Sequence, residues 1–128
     1  MNMKILRTAE KISAILEQIA SPARLVILLS IGDSEACVCH LESVLNKRQA
    51  YISQHLMALR RAGIITSRRD GRFIYYRLAD PALLDLIRSA GRLAGVDIAP
   101  PTATVTCSCP NCTDSRPAII PLSMKALS

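Results

Sequence analysis

Apolar residues recur at helical spacing from the start of the chain. Leu6, Ile12, Ile15, Leu16 and Ile19 fall on one stripe, which predicts an amphipathic first helix. Ser21-Pro22-Ala23-Arg24 then supplies a capping serine and a proline at the first helical position. The segment LVILLSI follows and Gly32 ends it, so a second helix is expected, apolar on most sides. A third is predicted from near Ser34 through CVCHLESVL. After the short connection Asn46-Lys47-Arg48, the stretch QAYISQHLMALRRAG puts Ile52, Leu56 and Leu59 on an inner stripe, with Gly63 as its C-cap. A short helix, a tight turn and a longer polar helix make the outline of a helix-turn-helix.

Past Gly63 the period changes. Ile64 to Ser67 and Phe73 to Leu78 are β-rich runs on either side of Arg68-Arg69-Asp70-Gly71-Arg72. Asp-Gly between such runs signals a hairpin. A hairpin with an arginine-rich tip, directly after a helix-turn-helix, reads as a wing. Asp80-Pro81 opens a last helix, ALLDLIRSAGRLAG, with Leu83, Leu84, Ile87 and Leu93 apolar. Val96 to Thr106 is proline-rich and reads as extended; beyond Cys112 no period is visible, and the chain has no internal repeat. The predicted fold is mainly α with a β-hairpin wing, a winged helix-turn-helix.

Composition sharpens this picture. The chain has 128 residues, half of them apolar, which is one domain's worth of core. Leu, Ile and Ala dominate and aromatics are scarce, favouring helices over a β-sandwich. A chain this short buries a limited fraction of its surface, so pairing with a second copy is expected. The net charge is +6, and its placement matters more. Lys47, Arg48, Arg60, Arg61, Arg68, Arg69, Arg72 and Arg77 crowd into one stretch whose only acid is Asp70. Such clustering suits a polyanion, nucleic acid first and an anionic membrane second; a solvated basic face is the bland alternative. The start of the chain has charges spaced through it and no apolar block with a cleavage site. No apolar run approaches the roughly 20 residues that span a bilayer. The expectation is a cytoplasmic protein without a membrane partner. Two histidines and no Gly-rich phosphate loop give no catalytic partnership, so an enzyme is not expected.

The five cysteines form two clusters, ACVC at residues 36–39 and TCSCPNC at 106–112. An odd number of thiols in a reducing compartment argues for metal or redox chemistry over a disulfide framework. Soft ions such as As(III), Cd(II), Pb(II) and Hg(II) prefer thiolates, and Zn(II) accepts them. In a regular helix Cys37 and Cys39 diverge by about 200°, since each residue turns about 100°. They can share an ion only if the first turn is distorted or a third ligand draws them together. In an extended tail Cys107 and Cys109 point to one side, and Pro110-Asn111 turns Cys112 back toward them. The tail, tethered at Gly95, spans about 35 Å if extended. It can reach ACVC of its own subunit or of a partner. The expected site joins Cys37 and Cys39 with one or two of Cys107, Cys109 and Cys112; the competing arrangement has two separate sites. His40 is read either as a surface residue of the turn or as an extra ligand.

The stretch ACVCHLESVLNKRQAYISQHLMALRRAGIITSRRDGRFIYYRL resembles the ArsR/SmtB family of bacterial metal-sensing repressors, over roughly Ala20 to Ala94. The resemblance implies a homodimeric winged helix paired through its terminal helices. It also implies a protein that holds double-stranded operator DNA without its ligand and lets go with it. Two departures stand out. His40 follows the C-V-C where many relatives carry Asp. The last helix, residues 81–95, has no histidine and only Asp85 as a carboxylate, so the family's zinc site there is expected to be absent. The TCSCPNC tail lies outside the common core. On this reading residues 1–95 form the DNA-binding and dimerisation domain, and residues 96–128 a cysteine-containing tail. No protein partner beyond a second copy is predicted.

Short polar side chains at the front of a groove-entering helix reach base edges. Gln49, Tyr51, Ser53, Gln54 and His55 are placed for this, and Gln49, Ser53 and His55 fall on positions that resemble the family's recognition helix. His55 has the alternative of facing inward. Arg60, with Arg61, is expected at phosphates, and Arg68, Arg69 and Arg72 at phosphate or in the minor groove. Tyr75 and Tyr76 alternate faces, so at least one belongs to the core. Arg77 is equally an ion-pair partner or a DNA contact. Among effectors As(III) is favoured and Cd(II) or Pb(II) comes next. A thiol-redox or sulfide-responsive repressor of the same fold is the nearest rival; a metallochaperone without DNA binding is the alternative from another class.

Overall fold

The computed structural model describes residues 2–98; the tail cysteines Cys107, Cys109 and Cys112 lie outside the described residues. Five helices and three strands follow in the order α1 (Met3–Ile19), α2 (Pro22–Ile31), β1 (Ala36–Cys37), α3 (Val38–Leu45), α4 (Gln49–Arg61), β2 (Ile65–Asp70), β3 (Phe73–Leu78) and α5 (Ala82–Leu93). The caps explain several boundaries. The Ser21 hydroxyl accepts from the Arg24 amide at the start of α2, and Gly32 closes it with φ of 59°. Asn46 ends α3 in the left-handed region, φ 53°, a conformation that a short amide side chain tolerates. That single turn redirects the chain into α4.

The core gathers one face of each helix. Ile27, Leu28, Leu41, Ile52, Leu56, Leu59 and Ile65 are fully buried. The inner stripe of α4 is the one its sequence predicts: Ile52, Leu56 and Leu59 are its buried residues. Truncating one of them removes packing that nothing else can fill. Leu56→Ala is expected to lower unfolding free energy by about 2–5 kcal/mol, read from the urea midpoint at unchanged m-value.

Four features differ from the sequence expectation. The segment at Ala36-Cys37 is not the start of a helix. It is a two-residue strand that pairs antiparallel with β3, Ala36 opposite Tyr76 and Cys37 opposite Tyr75, because β3 has an open edge. The wing is therefore a three-stranded sheet, β1-β3-β2. Second, the two-residue loop of the hairpin is Gly71-Arg72, between the pair Asp70 and Phe73. Gly71 takes φ of 61°, the glycine-first arrangement of a type II′ turn. Third, Ala62 is the C-cap of α4 and Gly63, with φ of 76°, follows it. Fourth, most of the α1 stripe faces outward in the single chain: only Ile19 of that helix is buried, while Ile12 and Ile15 are half exposed.

After α5 the chain turns back on itself. Gly95 takes φ of 75°, the Val96 amide donates to the Gly91 carbonyl, and Ile98 packs against the core. A Cβ at position 91 would sit 2.6 Å from Ile98 Cδ1, so a larger residue there would require the Ile98 side chain to shift.

Candidate functional site

Two surfaces meet at the helix-turn-helix. The first is basic. On α4, Gln49 and Gln54 are exposed, Tyr51 is partly exposed, and Ser53 is half-buried beside them. Lys47 lies over the Tyr51 ring at 5.4 Å. The front of the helix is thus polar and aromatic, with no acid on it. Arg60 at its far end is exposed and donates to Ser67 at the base of the wing. Arg69 and Arg72 sit exposed at the wing tip, and Arg77 is exposed on β3.

His55 and Arg68 have partners that sequence spacing does not show. His55 is half-buried, and its Nδ1 accepts from Arg24 Nε at 3.0 Å. The same guanidinium donates to the backbone and the side chain of Gln18. Arg24 therefore ties the end of α1 and the start of α2 to α4. Tyr51 meets the His55 ring edge-on at 4.8 Å. Burial, and then the positive charge of Arg24, hold the His55 ring below the ordinary histidine range. The sign follows directly. With the folded value depressed, this residue's contribution is complete above the unfolded value of about 6.5 and is lost as pH falls through the lower folded value. In a proton NMR titration the His55 midpoint is expected below 6.5, and Arg24→Gln is expected to raise it.

Arg68 is exposed on β2 yet engaged. Its Nε and Nη2 donate to the two carboxylate oxygens of Glu35 at 2.7 and 2.6 Å, and its guanidinium lies 4.5 Å over the Tyr75 ring. The Glu35 carboxylate is the first cause raising the Arg68 value above its ordinary one. Glu35, Arg24 and Gln18 were not singled out from sequence. The one available signal was that Glu35 precedes Cys37 by two residues in what proves to be extended chain.

The second surface is sulfur. Cys37 is the N-cap of α3 with extended backbone, φ −88° and ψ 165°, and Cys39 lies one turn-step inside the helix. The 200° divergence of a regular helix therefore does not apply. Their Sγ atoms stand 3.0 Å apart. Two thiolates on one tetrahedral ion at about 2.3 Å lie about 3.7 Å from each other, a separation of the same order. Cys37 is buried and Cys39 half-buried, packed with Tyr75 and Phe73 in a small cluster apart from the main core. No side chain caps the start of α3, where the helix dipole favours negative charge. His40, also half-buried, is held below the ordinary histidine range by burial. Among the described residues no group of three His, Cys, Asp or Glu converges; the sulfurs of Cys37 and Cys39 alone do not close a soft-ion site. On α5 the sequence offers only Asp85, and it is exposed.

A helix-turn-helix whose second helix presents polar groups, flanked by an arginine-tipped wing, defines a winged-helix regulator. Residues 21–67 match the family described as bacterial regulatory protein, arsR family. The SmtB transcriptional repressor of Mycobacterium tuberculosis is 40% identical over 83 residues, covering 65% of this chain and 62% of that protein. The arsenic resistance regulator ArsR1 of Pseudomonas putida is 46% identical over 56 residues, 44% of this chain and 43% of that one. The solved structure of reduced HlyU from Vibrio cholerae superposes with a TM-score of 0.66 at 30% identity, covering 72% of this chain and 97% of that one. The chain belongs to the arsR family of bacterial regulatory proteins. These relatives are regulators by name, and among the described residues no single helix is long and apolar enough to cross a membrane.

Proposed function

We propose that the protein is a homodimeric repressor that binds operator DNA through α4 and the wing, and that a soft thiophilic ion releases it. Cys37 and Cys39 supply two of the ligands, and one or two of Cys107, Cys109 and Cys112 complete the set. The observation that carries this reading is the 3.0 Å approach of two sulfurs at the joint between wing and helix-turn-helix. As(III) is the favoured ion: three sulfurs suit its pyramidal coordination, and the likeness to an arsenic resistance regulator supports it. Cd(II) and Pb(II) come next. Pairing of two copies is supported by the outward apolar stripe of α1 and by Leu86 and Leu93 on α5, the latter 91% exposed. A cleft of 390 Å³ lined by Ile15, Ile64, Leu83 and Leu86 lies between these helices.

The short sulfur–sulfur contact also favours a second reading, in which Cys37 or Cys39 forms a disulfide or polysulfide with another cysteine, an oxidant taking up the two electrons released. Titrating protein–operator complex with arsenite and Cd(II) under strict reduction, then with oxidant in the absence of metal, separates the two. Release only by metal supports the ion sensor, and release only by oxidant supports the redox sensor. The complex itself should weaken steeply with salt as phosphate contacts release counterions; a salt-independent or absent complex contradicts both readings.

A further inference from the structure

We propose that Arg24 is a positioning residue for operator reading: it fixes His55 of α4 as a neutral ring that offers DNA a donor, Nε2–H, and no acceptor. This rests on the DNA-binding reading above. An arginine side chain carries donors only. A ring nitrogen that accepts from it therefore carries no proton, and the contact from Arg24 Nε falls on Nδ1 at 3.0 Å. A neutral imidazole holds its one proton on the other nitrogen, so Nε2 is the donor. A protonated ring has no acceptor left and cannot make this contact.

The anchor is itself held. Arg24 Nη1 donates to the Gln18 carbonyl and to Gln18 Oε1, both at 3.0 Å, and the Arg24 amide donates to the Ser21 hydroxyl. Among the described residues no carboxylate pairs with Arg24, so nothing competes for the guanidinium. The His55 ring also meets Tyr51 edge-on at 4.8 Å. These contacts fix how the ring is turned. Half a revolution about the bond to the ring exchanges Nδ1 for a carbon and loses the Arg24 bond. Among the described residues His55 Nε2 has no hydrogen-bond partner and is not buried, which leaves its proton for a group outside the chain.

A donor without an acceptor discriminates among bases. In the major groove guanine presents N7 and O6, adenine N7 and thymine O4, all acceptors, whereas cytosine presents only its amino donor. Two donors facing one another leave both unpaired. The base that meets His55 is therefore expected not to be cytosine, with guanine first for its two acceptors. The exposed Gln49 and Gln54 of the same helix carry both a donor and an acceptor and can turn to suit a base. His55 cannot, because Arg24 holds it.

The test selects binding sites from random duplexes with the full-length protein at about pH 8, where an ordinary histidine ring is neutral. The parent is expected to disfavour cytosine about tenfold at one position of each half-site. His55→Phe should relax that position alone. Arg24→Lys, which keeps the charge but not the planar fork, should relax the same position and no other, admitting cytosine to within about threefold of guanine. Combining the two should change nothing further, because both act through one ring. A purely structural loss would weaken all sites alike. Thermal melting reads fold. Should Arg24→Lys fail to fold, nitrogen NMR of His55 in the parent decides: a proton on Nε2 supports the assignment and a proton on Nδ1 overturns it. Parental selection by folded Arg24→Lys, or a His55→Phe variant that relaxes no position, overturns it too. A parent that enriches no sequence, or whose duplex binding ignores salt, defeats the DNA-binding reading, and this one falls with it.

Discussion

Cys37→Ser is expected to bind operator within a few-fold of the parent and to lose ion-induced release almost completely, a change of about 100-fold in the ion's effect. The asymmetry comes from where Cys37 lies. Its backbone pairs with Tyr75, and serine keeps that pairing, so the sheet and the turn into α3 survive. What serine cannot supply is a soft, polarisable thiolate. The substitution also buries a hydroxyl at a site only 2% exposed, which costs about 1–3 kcal/mol when no acceptor is found. Melting of the ion-free variant separates that cost from the loss of sensing. The measurement is the ratio of operator Kd with and without arsenite. A ratio equal to the parent's, with the variant folded, would place sensing elsewhere.

The second large effect concerns pairing. The double variant Ile12→Glu, Leu16→Glu should sediment as a monomer and lose about 10²–10⁴-fold in operator affinity. Both side chains are substantially exposed in the single chain, 55% and 43%, and lie on one face four residues apart. Charge there does not disturb the core of one subunit, since Ile19 is the only buried residue of α1. It does forbid burying that stripe against a second copy. Operator half-sites one DNA turn apart need two recognition helices held at fixed separation; unlinked monomers bind each half-site alone. Analytical ultracentrifugation and operator titration read the two consequences separately. A dimeric variant, or a monomer with parental affinity, contradicts the pairing.

Much of the fold was legible because its signals are local. The cap at Ser21-Pro22, the inner stripe of α4 and the glycine of the wing turn are each decided within a few residues. The winged-helix outline followed from them. The placement of β1 was not legible. Ala36-Cys37 is too short to show a period, and it becomes a strand only because β3, which starts 36 residues after Cys37, offers an open edge. The thiol geometry hinges on that strand, because extended backbone at Cys37 brings together two sulfurs that a helix would separate. The engagement of Arg68 by Glu35, 33 residues apart, and of His55 by Arg24, 31 apart, is non-local in the same sense. Charge clustering marked the arginines correctly as a basic surface but carried no information on which of them already hold a carboxylate.

Anomalous diffraction from crystals of the reduced protein loaded with Cd(II) or As(III) tests the central claim most directly. The account predicts a single strong peak per subunit within bonding distance of Cys37 Sγ and Cys39 Sγ, with its remaining sulfur ligands drawn from Cys107, Cys109 and Cys112. A peak enclosed wholly by the tail thiols, with Cys37 and Cys39 unligated, would contradict it.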